Sequence, residues 1–196
     1  METQEIIHFI QELAQASGQI IRKYFRNPLD VDAKPDSTPV TIADRQSELI
    51  MRELISHRYP SHGILGEEFE DVNPGAEYQW ILDPIDGTKT FVSGTYLFGT
   101  LIALLKDGKP ILGAINNPIT EQFLIGNGIT TWLNGDPVKV RDCQTIEQST
   151  LLTTNPLTVH QLHNGSAFEK LARRVKLYRT WGDCHGSVSY THLTLP

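Results

Sequence analysis

Thiols are scarce in this chain: the only two cysteines, Cys143 and Cys184, stand far apart, with no second thiol or histidine at metal-finger spacing. That excludes a disulfide-framed secreted module and fits a reduced cytoplasm. Long apolar runs are missing too, none approaching the roughly 18 residues that span a bilayer. The opening Met-Glu-Thr-Gln-Glu is acidic where a secretory signal is basic, so neither export nor membrane insertion is expected. Basic charge is in deficit, 17 Lys and Arg against 23 Asp and Glu, with no stripe to follow a phosphate backbone, which argues against nucleic acid as a partner. The histidines fit no H-E-x-x-H pattern, and there is no G-x-S-x-G elbow and no G-x-x-x-x-G-K-[ST] loop. Zinc hydrolase, serine hydrolase and P-loop chemistry are thereby set aside.

What is present is ordinary globular material, 39% hydrophobic over 196 residues, sufficient for one sizeable core or two packed subdomains. Ile6, Ile10, Leu13, Ser17, Ile20 and Tyr24 recur every three or four positions and predict an amphipathic helix from Thr3 to Phe25, stopped by Asn27-Pro28. Residues 29–39 read as a proline-bearing loop. Thr41 and Asp44 make a capping-box pattern before a second helix running to about His57. Short apolar runs at Gly63 to Gly66 and Tyr78 to Leu82 predict buried strands. Phe98 to Leu105 and Pro110 to Ile115 flank Asp107-Gly108, a strong hairpin signal. Further strands are expected at Gln122 to Ile125, Thr130 to Leu133 and Val138 to Val140, then a helix near Ala167 to Val175 and a strand at Lys176 to Thr180. The order implies an α+β fold of stacked helix and sheet layers rather than a doubly wound parallel sheet.

The chemistry sits where predicted strands end in acids: Glu67 and Glu68 in G-E-E-F, Asp83 and Asp86 in W-I-L-D-P-I-D-G-T, and Asp183 in W-G-D-C. Taken singly, each has a bland reading, a solvated strand end or a turn, and Asp44 alone reads as a helix-capping acid. Gathered in one cleft, however, carboxylates disfavour joint ionisation unless protons or a cation compensate. Oxygen donors select magnesium, manganese or calcium. Proline stiffens the D-P-I-D turn, so Asp83, the Ile85 carbonyl and Asp86 can face one point. A helix or turn starting at Gly87 would aim the N–H groups of Gly87 and Thr88 at an anion.

These motifs, G-E-E-F, W-I-L-D-P-I-D-G-T-K-T-F and W-G-D-C in that order, resemble those of the inositol monophosphatase superfamily. The similarity runs from the first helix to Asp183, including V-T-I-A-D and Y-P-S-H-G-I-L-G-E-E. The resemblance implies a layered α/β/α/β/α sandwich and a phosphate monoester as substrate. It implies that Glu67, Asp83, the Ile85 main-chain oxygen, Asp86 and Asp183, with Glu68 nearby, ligate up to three magnesium ions, manganese being a possible substitute. It further implies that Asp44 and Thr88 orient the attacking water, that Glu67 shares in catalysis, and that the protein is a homodimer.

The segment F-G-T-L-I-A-L-L-K-D-G-K-P-I-L-G-A-I-N-N-P, with R-T-W-G-D-C, is similar to the histidinol-phosphatase branch, which implies L-histidinol phosphate as substrate and a place in histidine synthesis. The alternatives are myo-inositol monophosphate and a nucleotide 3'-phosphate. Three parts are expected: residues 1–140 as the metal-binding subdomain, 141–186 as a partial second subdomain, and 187–196 as a non-native tail. On that reading the chain is a truncated product, prone to aggregate, and an inactive metal-binding remnant is the competing outcome.

Overall fold

The computed structural model describes residues 3–27, 31–33, 39–184 and 186. The expected tail, 187–196, lies outside the described residues. The first helix, α1 (Thr3–Tyr24), buries Ile6, Phe9, Ile10, Leu13, Ala14, Ser17, Gly18 and Ile21, the predicted stripe as far as Ser17, with Ile21 buried in place of Ile20 and Tyr24 half-buried. A Cβ at Gly18 would stand 3.1 Å from that of Pro118.

A pairing not anticipated follows. β1 (Val31–Ala33) and β2 (Pro39–Thr41) form a two-stranded antiparallel ribbon where the sequence reads as loop. Proline at the strand start lacks an N–H but is compatible with this edge position. Then come α2 (Ile42–Arg58), β3 (Gly63–Gly66), β4 (Tyr78–Asp86) and the short α3 (Thr88–Val92). The hairpin forms as expected from β5 (Gly99–Lys106) and β6 (Lys109–Asn117), with Asp107 and Gly108 both at positive φ, as its turn requires. β7 (Gln122–Gly126), β8 (Thr131–Leu133) and β9 (Asp136–Val138) complete one sheet in the order β3-β4-β5-β6-β7-β8-β9. The last strand sits two residues earlier than the sequence suggested, because the Asn134-Gly135 turn places Asp136 directly opposite Leu133.

Only β3 and β4 run parallel; every other neighbouring pair in this sheet is antiparallel. One sheet face receives α1 and α2. Its core joins Phe9, Ile10 and Leu13 from α1, Met51 and Ile55 from α2, and Trp80, Leu82, Ile102, Leu104 and Leu112 from the strands. Burying each large side chain is worth about 2 kcal/mol. A second cluster, Ile21, Ala43, Ile85, Phe91 and Phe98, lies under the end of β4.

The chain divides into two compact units, residues 1–138 and 139–196. In the second unit, β10 (Thr150–Leu152) pairs in parallel with β11 (Leu177–Arg179), and α4 (Pro156–Leu162) and α5 (Gly165–Arg174) lie between them in sequence. A 3-10 turn at Ile146–Gln148 precedes β10. The sequence reading anticipated α5 and β11 but not β10 or α4. Among the described residues, no helix is long and apolar enough to cross a membrane.

Candidate metal centre

The first unit gathers its acids at the carboxyl ends of the parallel pair. Gly66 lies beside Leu82 in register, so Glu67 and Asp83, the next residue on each chain, emerge side by side. β4 does not end at Leu82 as its apolar run suggests. Its pairing with β5 steps from Asp83 opposite Leu101 to Asp86 opposite Gly99, so Pro84 and Ile85 together face the single Thr100. This is a β-bulge, the place where a strand interior accepts proline.

Two anchors hold the bulge. The buried Thr100 hydroxyl donates to the Pro84 carbonyl at 2.9 Å. The Ile85 side chain is buried among Ile21, Phe91 and Phe98, while its carbonyl accepts the Thr88 hydroxyl at 3.1 Å. Gly87 then turns the chain at φ 94° and ψ 39°, a left-handed conformation that side-chain-bearing residues rarely adopt, and caps α3. The first N–H groups of this single helical turn have no acceptor within it.

Asp44 reaches the same region from α2. Its Oδ2 accepts from Thr41 N at 2.8 Å and from Thr41 Oγ1 at 2.6 Å, and Thr41 Oγ1 in turn accepts from Ala43 N at 3.1 Å. Asp44 therefore caps the helix, as its bland reading holds. It is also almost wholly buried, and burial raises its pKa; the Thr41 hydrogen bonds oppose that rise and the Glu67 carboxylate adds to it.

Asp83 is the most perturbed group. Burial first, then the carboxylates of Glu67 and Asp86, a hydrogen bond shared with Glu67, and Asp44 push it up to about 8. Its Oδ1 is buried with no hydrogen-bond partner among the described residues. The carboxylates of Glu67, Asp86 and Asp44 thus act on Asp83, and that of Glu67 on Asp44. In this arrangement a proton kept on Asp83 offsets the repulsion. Among the described residues, no three His, Cys, Asp or Glu side chains stand preassembled around a point. An orphaned, buried carboxylate oxygen in an all-oxygen donor set nevertheless fits a hard divalent cation.

Sequence reasoning missed two residues that build the Glu67 end of this site. Glu48 is fully buried and its Oε2 accepts the Glu67 N–H at 2.9 Å and the Glu68 N–H at 2.8 Å. Arg52 donates through Nε to Glu48 Oε1 at 2.7 Å, and through its other nitrogens to the carbonyls of Phe69 at 3.1 Å and Glu70 at 2.9 Å. A Glu and an Arg four apart on a helix ordinarily read as a solvated pair. The one available signal was Gly66, whose glycine has no turn to explain it. Asp183 follows β11 in the second unit, where its carbonyl accepts from Gly186 N at 2.8 Å.

Residues 2–192 match the model of the inositol monophosphatase family. The chain belongs to the inositol monophosphatase family. Among curated members, it is 46% identical over 176 residues to the chloroplastic bifunctional phosphatase IMPL2 of Arabidopsis thaliana, covering 88% of this chain and 51% of that protein. It is 38% identical over 177 residues to a histidinol-phosphatase of Chlorobaculum parvum, covering 89% of this chain and 68% of that one. The chain thus spans about half the length of the first relative and two thirds of the second. An inositol monophosphatase structure from Zymomonas mobilis superposes with a TM-score of 0.80 at 38% identity, covering 98% of this chain and 75% of that one. The mixed sheet flanked by α1 and α2 is thus this family's fold.

Proposed function

We propose that the protein is a magnesium-dependent phosphomonoesterase acting on L-histidinol phosphate, with manganese able to replace magnesium. The observation that carries the reading is the Asp83 carboxylate: buried, crowded by Glu67 and Asp86, and with one oxygen lacking any partner among the described residues. Glu67, Asp83, the Ile85 carbonyl and Asp86 are the proposed ligands in the first unit, with Glu68 nearby. The assignment of Asp183 rests on its motif alone.

When bound, magnesium supplies Lewis-acid activation of water and neutralises charge on the transferring phosphoryl group. The chain's own residues bind and orient. Thr88, tied to the Ile85 carbonyl, and Asp44, tied to its own cap, orient the attacking water, with Glu67 beside them. The N–H groups of Gly87 and Thr88 receive a phosphate oxygen. Histidinol phosphate is preferred because both curated relatives above are phosphatases and one is named for that substrate. The inositol monophosphatase from Zymomonas mobilis, as similar to this chain at 38% identity as the second of these, keeps myo-inositol phosphate as the alternative.

Phosphate release should be measured from histidinol phosphate, myo-inositol 1-phosphate and a nucleotide 3'-phosphate, each with and without magnesium. Release from the first, abolished by chelation, is the expected result. Cleavage of the inositol ester alone reassigns the substrate. Metal-dependent stabilisation with no hydrolysis of any ester identifies a binding remnant instead.

A further inference from the structure

We propose that Glu48 and Arg52 are positioning residues that fix the backbone of residues 67–70 and so deliver the Glu67 carboxylate to Asp83. The proposal rests on the reading of Glu67 as a metal-site carboxylate. The segment after β3 has no helix or strand of its own to satisfy its backbone. Two side chains one turn apart on α2 do so instead: the Glu48 carboxylate takes the N–H groups of Glu67 and Glu68, and the Arg52 guanidinium takes the carbonyls of Phe69 and Glu70. Arg52 also lies over the Phe69 ring, 5.7 Å from its centroid. Four consecutive residues are thereby held from one rigid helix.

Three features distinguish this from generic packing. First, Glu48 is fully buried and Arg52 is only 8% exposed, and a buried ion pair is seldom the most stabilising way to fill a volume. Hydrogen bonds to a defined set of main-chain atoms are what an apolar replacement could not reproduce. Second, the room for the pair is reserved by Gly66, where a Cβ would come within 2.0 Å of Glu48 Oε1 and 2.6 Å of Arg52 Nη2. Third, both Glu48 oxygens already hold N–H donors, so this carboxylate fixes the chain that bears Glu67 while its own lone pairs are turned to that task. The register then sets Glu67 next to Asp83, with which it shares a hydrogen bond.

The test measures magnesium affinity by titration calorimetry and metal-free melting temperature on the full chain, for wild type, E67Q, E48Q, R52K and the core variant I55V. In E48Q the amide oxygen can keep the two backbone N–H groups, but its NH2 then faces the Arg52 Nε–H, donor against donor. R52K keeps the charge and loses the two-carbonyl fork. The expected result is a loss of magnesium affinity of about 10- to 100-fold in E48Q and R52K, the range found when groups supporting a metal ligand are removed. I55V should lower the melting temperature and leave affinity within about twofold, which separates positioning from simple stability. Faster hydrogen exchange at the Glu67 and Glu68 amides of E48Q is the accompanying sign. If E67Q loses affinity while E48Q and R52K bind like wild type, the positioning role is overturned and the metal reading stands. If E67Q also binds like wild type, or wild type takes up no magnesium, both fall together.

Discussion

Asp83 and His62 carry opposite pH signatures, and each can be read from its surroundings. Asp83 is held near 8 in the folded chain against about 3.9 when unfolded, so its ionised form opposes folding. Its favourable contribution is complete below pH 4 and is lost as pH climbs toward 8. In metal-free protein, D83N should therefore raise stability at pH 9 by roughly 1 to 3 kcal/mol, one pKa unit being worth about 1.4 kcal/mol. At pH 4 it should do little, and it should abolish the response to magnesium. Urea melts at the two pH values check this, and a D83N chain no more stable than wild type at pH 9 contradicts it. His62 is the reverse case. It is stacked between Tyr59 and Tyr78, with ring centroids 4.7 and 5.0 Å away, and its Nδ1 accepts the buried Trp80 indole N–H at 3.1 Å. Burial lowers its pKa more than Glu77 raises it, so the neutral ring is the folded form. Its contribution is present above pH 6.5 and falls away as pH drops below that value. Replacing it in H62F leaves the Trp80 N–H without an acceptor, at a cost of about 1–3 kcal/mol at pH 8 in urea unfolding. The acids at the site were legible because the chain states them in motifs. Glu48 and His62 were not, because their roles depend on burial, which spacing along one helix or loop does not reveal.

At the scale of elements, the decisive departure from the sequence reading is the continuation of β4 through Asp86. A short apolar run bounded by turn residues marks Tyr78 to Leu82 as strand; the bulge instead lets the ladder resume one residue out of step and carry on through Asp86. This shift turns D-P-I-D from a loop motif into rigid sheet, and it makes Thr100, on the neighbouring strand between the partners of Asp83 and Asp86, part of the site's support. T100V keeps the shape and removes the donor to the Pro84 carbonyl. It should cost about 1 kcal/mol in urea unfolding and weaken magnesium binding more than its stability loss alone explains. Unchanged metal affinity would show that the bulge holds itself. Elsewhere, α1, α2 and the Asp107-Gly108 hairpin were legible because their periods and turn residues agree with the tertiary burial. The helix α4 was missed although Asn155 caps it, accepting from Leu157 N at 3.0 Å, with Pro156 at its first position. None of its seven residues is buried, so no apolar stripe announces it.

For the whole molecule, the proposed ligands of the first unit can be probed through that unit's own unfolding. The proposed ligands Glu67, Asp83, Ile85 and Asp86 all belong to residues 1–138, as do Trp80 and Trp132, whereas Trp181 belongs to the second unit. Trp80 is fully buried in the main core on β4, the strand that bears Asp83 and Asp86, so its fluorescence reports the unfolding of the first unit. A ligand that binds only the folded form stabilises it by about 2.7 kcal/mol at 100 times its dissociation constant. For domains of this size each kcal/mol moves the midpoint by about 2–4 °C. In a chain carrying W132F and W181F, saturating magnesium should raise the Trp80 transition by several degrees, and D86N should abolish the rise. The size of the effect should shrink as pH falls below the Asp83 titration, because the same carboxylate cannot keep its proton and serve the cation. A Trp80 transition indifferent to magnesium from pH 6 to pH 9 would leave the acids of the first unit as a proton-sharing cluster only, whatever the family's motifs imply.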